Sequence, residues 1–410
     1  MSLAPVAAVS SASDPDRPLA EAVNEHDLTR DPYPIFDRLR QEAPLHWYEP
    51  LGAYLVTRWE DCERVLLHPE RFTGLEGGLG RARGDRVFGT PTILASNGEL
   101  HRGLRRAVDG PLRPRVVRDH LESVIRPVVK RRLERLLERA SADLVAEYFE
   151  PISVRCLGDL LGLQEIDDDT LRDWFAGMVS GLTNESLAEA GFARSDATRA
   201  DIARVVAPMV ERLRGEPDDT ALSHMIHGGR DAGDPRTLEE ILPTLAVYIT
   251  GGMQEPGHGC ASAMYGLLVE PEQLQRVRED PALVLRAVEE GIRWISPIGH
   301  TERQVVEETE LGGVRLQPGD AVYLMLSAAN RDPAQFADPE RFDIDRENRR
   351  HIAFGGGMHV CAGNAFGRAI MRVALEELLV AAPDLRLEPG AEIPVTGWHF
   401  RSPRRLPVLL

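Results

Sequence analysis

From about His101 to Leu268, apolar residues recur every three or four positions, and this 3.6-residue period predicts a chain built mainly of helices. The pattern runs through RPVVKRRLERLLERA, SVRCLGDLLGL, TLRDWFAGMVSGL and ARVVAPMVERLR to the long LEEILPTLAVYITGGMQEPGHGCASAMYGLL. Ahead of it, PYPIFDRLRQEAP predicts a helix ended by Pro44, LHWYEP and GAYLVTR predict two strands around a glycine turn, and WEDCERVLLHPERF predicts a second helix. After Trp294, RQVVEE and GVRLQPGDAVYLML read as short strands, and a last helix is expected from about Ala362 to Ala382. Residues 74–98 are rich in Gly and Arg without a period, which predicts a long loop walling a pocket.

Residues 1–27 carry Ala, Ser, Pro and Asp without periodicity and read as a flexible N-terminal arm, with the fold beginning near Tyr33. Neither an internal repeat nor a linker divides the rest. The expectation is one domain over 28–410, mainly α with small β-sheets.

Composition narrows the function classes. The 410 residues are 43% hydrophobic and 28% charged, with 48 basic against 65 acidic side chains, a net charge of −17. That balance argues against a nucleic-acid partner, which needs a clustered cationic excess. One local exception is residues 101–118, with six arginines and one acid; Arg349 and Arg350 add two more. Cys62, Cys156, Cys260 and Cys361 are widely spaced, so neither a disulfide framework nor a thiolate zinc site is expected, and reduced thiols fit a cytoplasmic location. The start has no signal-peptide core, and no stretch approaches the roughly 18 apolar residues of a membrane span, so no membrane association is expected.

The most informative segment is Phe354-Gly-Gly-Gly-Met-His-Val-Cys-Ala-Gly363, which presents a thiol just before a helix. Amide groups and the dipole of a helix N-terminus favour a thiolate. Such a sulfur can be a nucleophile, a zinc ligand or a haem ligand. Elsewhere, Glu290-Gly-Ile-Arg293 sets a carboxylate and a guanidinium at i, i+3 inside an apolar pattern, and Arg341 is the candidate to complete a buried Glu–Arg–Arg cluster.

Taken together, these segments resemble the cytochrome P450 family over essentially the whole chain. Phe354-Gly-x-Gly-x-His-x-Cys361-x-Gly363 is similar to its haem-thiolate loop, Glu290-x-x-Arg293 to its conserved helix pair, and Pro339-Glu-Arg341-Phe to the segment supplying the third member. The resemblance implies haem b, iron protoporphyrin IX, with Cys361 as the metal ligand whose electron donation favours O–O cleavage. It also implies that His101, Arg105, Arg303 and His359 hold the haem propionates. For partners, it implies a redox protein, a ferredoxin or flavin/iron-sulfur reductase, docking on the arginine-rich face.

In most of the family, the long helix over the haem carries Ala/Gly-Gly-x-Asp/Glu-Thr, an acid and an alcohol that deliver protons. This chain has Gln254 at the acid position and Glu255 at the alcohol position, followed by Pro256, which must kink the helix. Gln254 and Glu255 are the candidate catalytic residues, with Glu255 as a general base and then acid that lets hydrogen peroxide replace oxygen and electrons. The run Met-Gln-Glu-Pro-Gly-His-Gly, with GDLLGLQE, RVFGTP and GWHFRSP, resembles bacterial P450s that O-demethylate guaiacol and syringol, giving a catechol-type product and formaldehyde. There, phenylalanines clamp the aromatic substrate, and the matching positions are Phe88 and Phe400. Leu182 stands where the guaiacol-preferring relative has a third Phe, which points to the larger syringol. Val247, Gly251, Ile298 and Thr301 are expected to line the same pocket. Two rival readings are a P450 acting on another small or carrier-bound substrate and a non-catalytic haem-thiolate sensor or carrier.

Overall fold

The computed structural model describes residues 18–231, 233–348 and 350–410. Arg349 and most of the expected N-terminal arm lie outside the described residues. Within the remainder of that arm, Leu19–Ala22 and Glu25–Arg30 are helical rather than extended and loose. The Asn24 side chain caps the second of these by accepting the Asp27 N–H at 3.0 Å, and Ala22, Val23 and Leu28 are buried, so the fold begins ahead of Tyr33.

The expected helix, hairpin, helix follows as Tyr33–Glu42, Leu45–Tyr48 paired antiparallel with Ala53–Val56, and Trp59–Leu67. Ala53–Val56 continues in parallel to Ala321–Leu324, which pairs antiparallel with Thr301–Val305, whose other edge takes Phe72–Thr73. One five-stranded sheet thus joins the two ends of the sequence, closed over Val56, Val322, Leu324 and Phe336. Smaller sheets form from Ser141–Asp143, Pro407–Leu409 and Arg386–Leu387, and from the Val395–Thr396 and Ser402–Pro403 hairpin.

Helices make the larger layer, as the periodicity predicts. Their apolar faces merge into a single core from Val87 to Val408, which matches the expectation of one mainly helical domain with small sheets. Two differences bear on the site. First, the segment expected to be a loop contains the helix Gly78–Phe88, whose Val87 and Phe88 are buried; packing, not propensity, forms it. Second, the long helix is two helices, Leu238–Gly252 and Glu255–Val269, broken at Met253 and Gln254. The Met253 N–H still bonds Ile249 O, and the next ladder bond in register is His258 N–H to Gln254 O. Pro256, without an N–H, sits in the first turn of the second helix, where proline is tolerated. The chain therefore breaks and restarts where a kink was expected.

Candidate active site

The loop from Phe354 to Gly363 is closed by the Cys361 N–H donating to Phe354 O at 2.9 Å. Gly355 and Gly357 sit at φ of 67° and 61°, and a Cβ at Gly357 would collide with the Leu66 carbonyl. Cys361 precedes the helix Asn364–Ala381, as expected, and Asn364 Nδ2 donates to its carbonyl at 2.6 Å. The sulfur is not, however, a thiolate by virtue of the helix. Burial pushes the Cys361 thiol up, outweighing the Gly363 amide, Arg105 and Arg368. A thiol desolvated in this way ionises when a metal cation bonds to it. Among the described residues no group of three His, Cys, Asp or Glu side chains is gathered for a metal.

Above Cys361 opens a cavity of about 460 Å³. Arg105, Arg303 and His359 line it, and His101 packs against His359 with ring centroids 4.4 Å apart and the planes tilted by 54°. Nε2 of both histidines is buried without a hydrogen-bond partner, and burial holds both rings neutral, His359 at about 3. Arg303 is 5% exposed and donates to Thr301 Oγ1 at 3.2 Å and Glu302 O at 2.6 Å, with no carboxylate paired to it among the described residues. Burial lowers it to about 10. Arg105 bonds Asp109 at 2.7 Å and the Val360 carbonyl at 2.8 Å. Orphaned donors and an unpaired buried cation beside a desolvated thiol form a donor set suited to a flat metal macrocycle with acidic substituents.

Farther from Cys361, the wall is apolar. Phe88, Leu182, Val247, Gly251, Ile298, Thr301 and Phe400 all line the cavity. Phe400 is placed by backbone: Ile298 and Phe400 form an antiparallel bridge, Gly299 N–H donates to His399 O at 2.8 Å, and Arg401 N–H donates to Pro297 O at 3.0 Å. A Cβ at Gly299 would overlap the Trp398 carbonyl, so only glycine permits this approach. Phe175 meets Phe400 edge-on from behind at 6.3 Å.

Glu255 lines the cavity at the start of its helix, and neither carboxylate oxygen has a hydrogen-bond partner of good geometry. Burial raises its carboxyl to about 8, against the pull of the Gln254 and Glu255 amides, with Glu150 adding to the rise. Gln254 is half-buried at the helix cap and does not line the cavity; its carbonyl takes the His258 N–H at 2.9 Å. Of the two candidate catalytic residues, Gln254 lies in the break itself and only Glu255, the first residue of the second helix, lines the cavity.

Away from the cavity, Glu290 and Arg293 form the expected buried pair, with Nε–Oε2 and Nη2–Oε1 both 2.8 Å. The third member is a correction. Arg341 is 60% exposed, with its side chain 3.9 Å from Glu270, and the place is filled by Arg346, whose Nε lies 3.1 Å from Glu290 Oε1. Arg341 contributes its carbonyl, which accepts from both Arg293 and Arg346.

The sequence reasoning also missed a polar group at the cavity edge. His300 Nε2 and His399 Nδ1 share a hydrogen bond of 2.6 Å, and His399 Nε2 bonds Glu185 at 2.9 Å. Beside them Arg83 donates to the Tyr323 hydroxyl at 3.2 Å. Isolated histidines in GHTER and GWHF give no sign of this pairing across the chain, because it depends on the Ile298–Phe400 bridge.

The family profile described as cytochrome P450 matches residues 218–381. Nocardicin C N-oxygenase from Nocardia uniformis subsp. tsuyamanensis is 33% identical over 399 residues, 92% of this chain and 95% of that protein. The chain belongs to the cytochrome P450 family. Pulcherriminic acid synthase from Bacillus subtilis is 29% identical over 392 residues, covering 93% of this chain and 96% of that one. The crystal structure of P450BioI in complex with a hexadec-9Z-enoic acid-ligated acyl carrier protein aligns with a TM-score of 0.83 at 25% identity, over 94% of this chain and 100% of that one. The P450 carries haem b as its cofactor and acts as a monooxygenase of the general kind, a family whose members need redox partners such as ferredoxin. No helix among the described residues is long and apolar enough to cross a membrane.

Proposed function

We propose that this P450 O-demethylates small methoxylated phenols of the syringol or guaiacol type. The observation that carries the reading is that Phe88 and Phe400, 312 positions apart, line one cavity together with Glu255. Leu182 on that wall leaves room that a third aromatic ring would take, which favours the dimethoxy substrate.

In this reading, Cys361 is the iron ligand, Arg105 and Arg303 supply the charge that neutralises the propionates, and the neutral His101 and His359 help hold them by hydrogen bonding. Haem bound there supplies the oxidising chemistry that hydroxylates a methoxy carbon. Phe88 and Phe400 hold the ring by edge and face contacts, and Val247 and Ile298 keep water from the methyl group. The hydroxylated methoxy group then collapses, the C–O bond to CH₂OH breaking to leave a phenol and formaldehyde. Glu255 holds a proton at its carboxyl at neutral pH, and its ionised form removes one from hydrogen peroxide and returns it, a contribution worth roughly 10² to 10⁴ in rate. Peroxide thereby substitutes for oxygen and a reductase.

The test is to titrate a methoxyphenol panel against purified holoenzyme, follow the spin-state change, and then assay formaldehyde with peroxide and with a reductase. Formaldehyde and a catechol-type product forming one to one support the reading. Ring hydroxylation without formaldehyde refutes it. Indifference to free syringol would favour a carrier-bound substrate instead, the arrangement captured in the P450BioI complex.

A further inference from the structure

Glu289 and Glu290 are neighbours on the helix Val284–Trp294, yet they serve different partners. Successive residues on a helix point about 100° apart, so while Glu290 turns to Arg293 and Arg346, Glu289 turns to the loop of Cys361. Its carboxylate accepts Arg368 Nε at 2.6 Å, Arg368 Nη2 at 3.0 Å and His351 Nε2 at 3.0 Å. The Ala353 N–H donates to His351 Nδ1 at 3.2 Å, which leaves the ring proton on Nε2, facing Glu289. Burial pushes the Glu289 carboxyl up, but the hydrogen bonds of His351 and Arg368 and the charge of Arg368 outweigh it and hold it at about 2. Glu289 is therefore an anion at neutral pH.

Arg368, fixed in this way, reaches both ends of the loop. Its guanidinium carbon lies 4.2 Å from the Phe354 ring centroid, and Phe354 O is the acceptor that closes the loop on the Cys361 N–H. Its Nη1 donates to Asn364 Oδ1 at 3.2 Å, one turn back along the helix Asn364–Ala381, and Asn364 Nδ2 donates to Cys361 O at 2.6 Å. Every link from Glu289 to Cys361 is thus a direct contact. Two guanidinium charges favour an ionised sulfur, Arg105 and Arg368. Arg105 lines the cavity and Arg368 does not, so the charge of Arg368 acts on the sulfur from outside the chamber.

We propose that Glu289 is a positioning residue for the Cys361 sulfur: it locks Arg368 against the loop and offsets the guanidinium charge, and the pair together sets how strongly the sulfur donates electrons to the metal. This role rests on the reading of Cys361 as the iron ligand. Reduction adds an electron to the iron–sulfur unit, so a nearby cation favours the reduced form and a nearby anion opposes it.

The experiment is a spectroelectrochemical titration of haem-loaded protein without substrate. Glu289→Gln keeps the side-chain shape and one acceptor but removes the negative charge, and it is expected to raise the midpoint potential. Arg368→Gln removes the positive charge and is expected to lower it. Each shift is expected at roughly tenfold in the reduction equilibrium, about 59 mV for one electron. A merely structural role would move both variants in one direction, because either change loosens the same contacts. Shifts of equal sign, or the native potential in both, overturn the proposal. Should Arg368→Gln hold haem poorly, Glu289→Gln decides alone, and a fall or no change in its potential overturns the proposal. The thiolate absorbance of the reduced carbonyl complex separates the two readings. If the native protein shows it and the potentials do not shift, Cys361 stands as the ligand and only the role of Glu289 falls; if the native protein lacks it, both fall.

Discussion

Arg346 Nε lies 3.1 Å from Glu290 Oε1, making a buried carboxylate the shared partner of two guanidinium groups, because Arg293 donates to both its oxygens at 2.8 Å. The second arginine, not the exposed Arg341, completes the cluster, so the two positions separate cleanly by mutation. Arg346→Ala leaves Glu290 undercompensated in the interior and is expected to cost about 3–5 kcal/mol, whereas Arg341→Ala should change stability by less than about 1 kcal/mol. Chemical denaturation of the two variants checks this, and equal effects would contradict it.

How much of this was legible in the sequence differs by residue. Glu290 and Arg293 lie one helical turn apart, a relation that spacing alone reveals. Arg346 reaches the pair across a loop of irregular backbone, whose path no periodicity encodes. Residues 78–88 read as loop because glycines and arginines mask their register, and the helix forms against the helices Asp168–Leu182, Glu189–Gly215 and Leu238–Gly252. Gln254 and Glu255 were both candidates from the sequence, and only Glu255 lines the cavity. Which of Gln254 and Glu255 faces the cavity depends on where the helix restarts, and that is decided by tertiary packing at Gly257. The loop that carries Cys361 was legible because Phe354 to Gly363 is one contiguous motif, whereas Phe88 and Phe400 come from opposite ends of the sequence and reach one cavity only through the fold.

Cys361→Ala removes the sulfur on which metal binding depends. It should abolish the thiolate absorbance signature of the reduced carbonyl complex, lower haem content and eliminate turnover, as measured by the pyridine haemochrome assay and spectroscopy. Turnover retained in this variant would exclude a thiolate ligand at 361.

Glu255 supplies a pH dependence of known sign. Its carboxyl stands at about 8 in the folded protein against 4.5 for an ordinary glutamate, so the native state binds more protons than the unfolded one between those values. Stability from this group is complete below pH 4.5 and is lost as pH rises through about 8, at a steepest slope of about 1.4 kcal/mol per pH unit. Glu255→Gln should remove that slope in denaturation measured from pH 5 to 9. In the same variant, the rise of peroxide-driven demethylation through pH 8 should disappear, with a loss of roughly 10² in rate.

Leu182→Phe fills the space that favours a second methoxy group. Syringol binding and turnover should fall relative to guaiacol by about 1–3 kcal/mol in kcat/KM, measured by formaldehyde release from each substrate. An unchanged ratio would show that Leu182 does not set the width of the pocket.

The bridge between Ile298 and Phe400 has a consequence for the shape of the chamber. Because main-chain bonds on both sides of Gly299 hold these two residues, the backbone of one wall of the chamber keeps its path whichever side chains it carries. Changes in the shape of the chamber are then carried by side chains, such as Phe88 and Leu182 on the helices, without rerouting this segment of the chain.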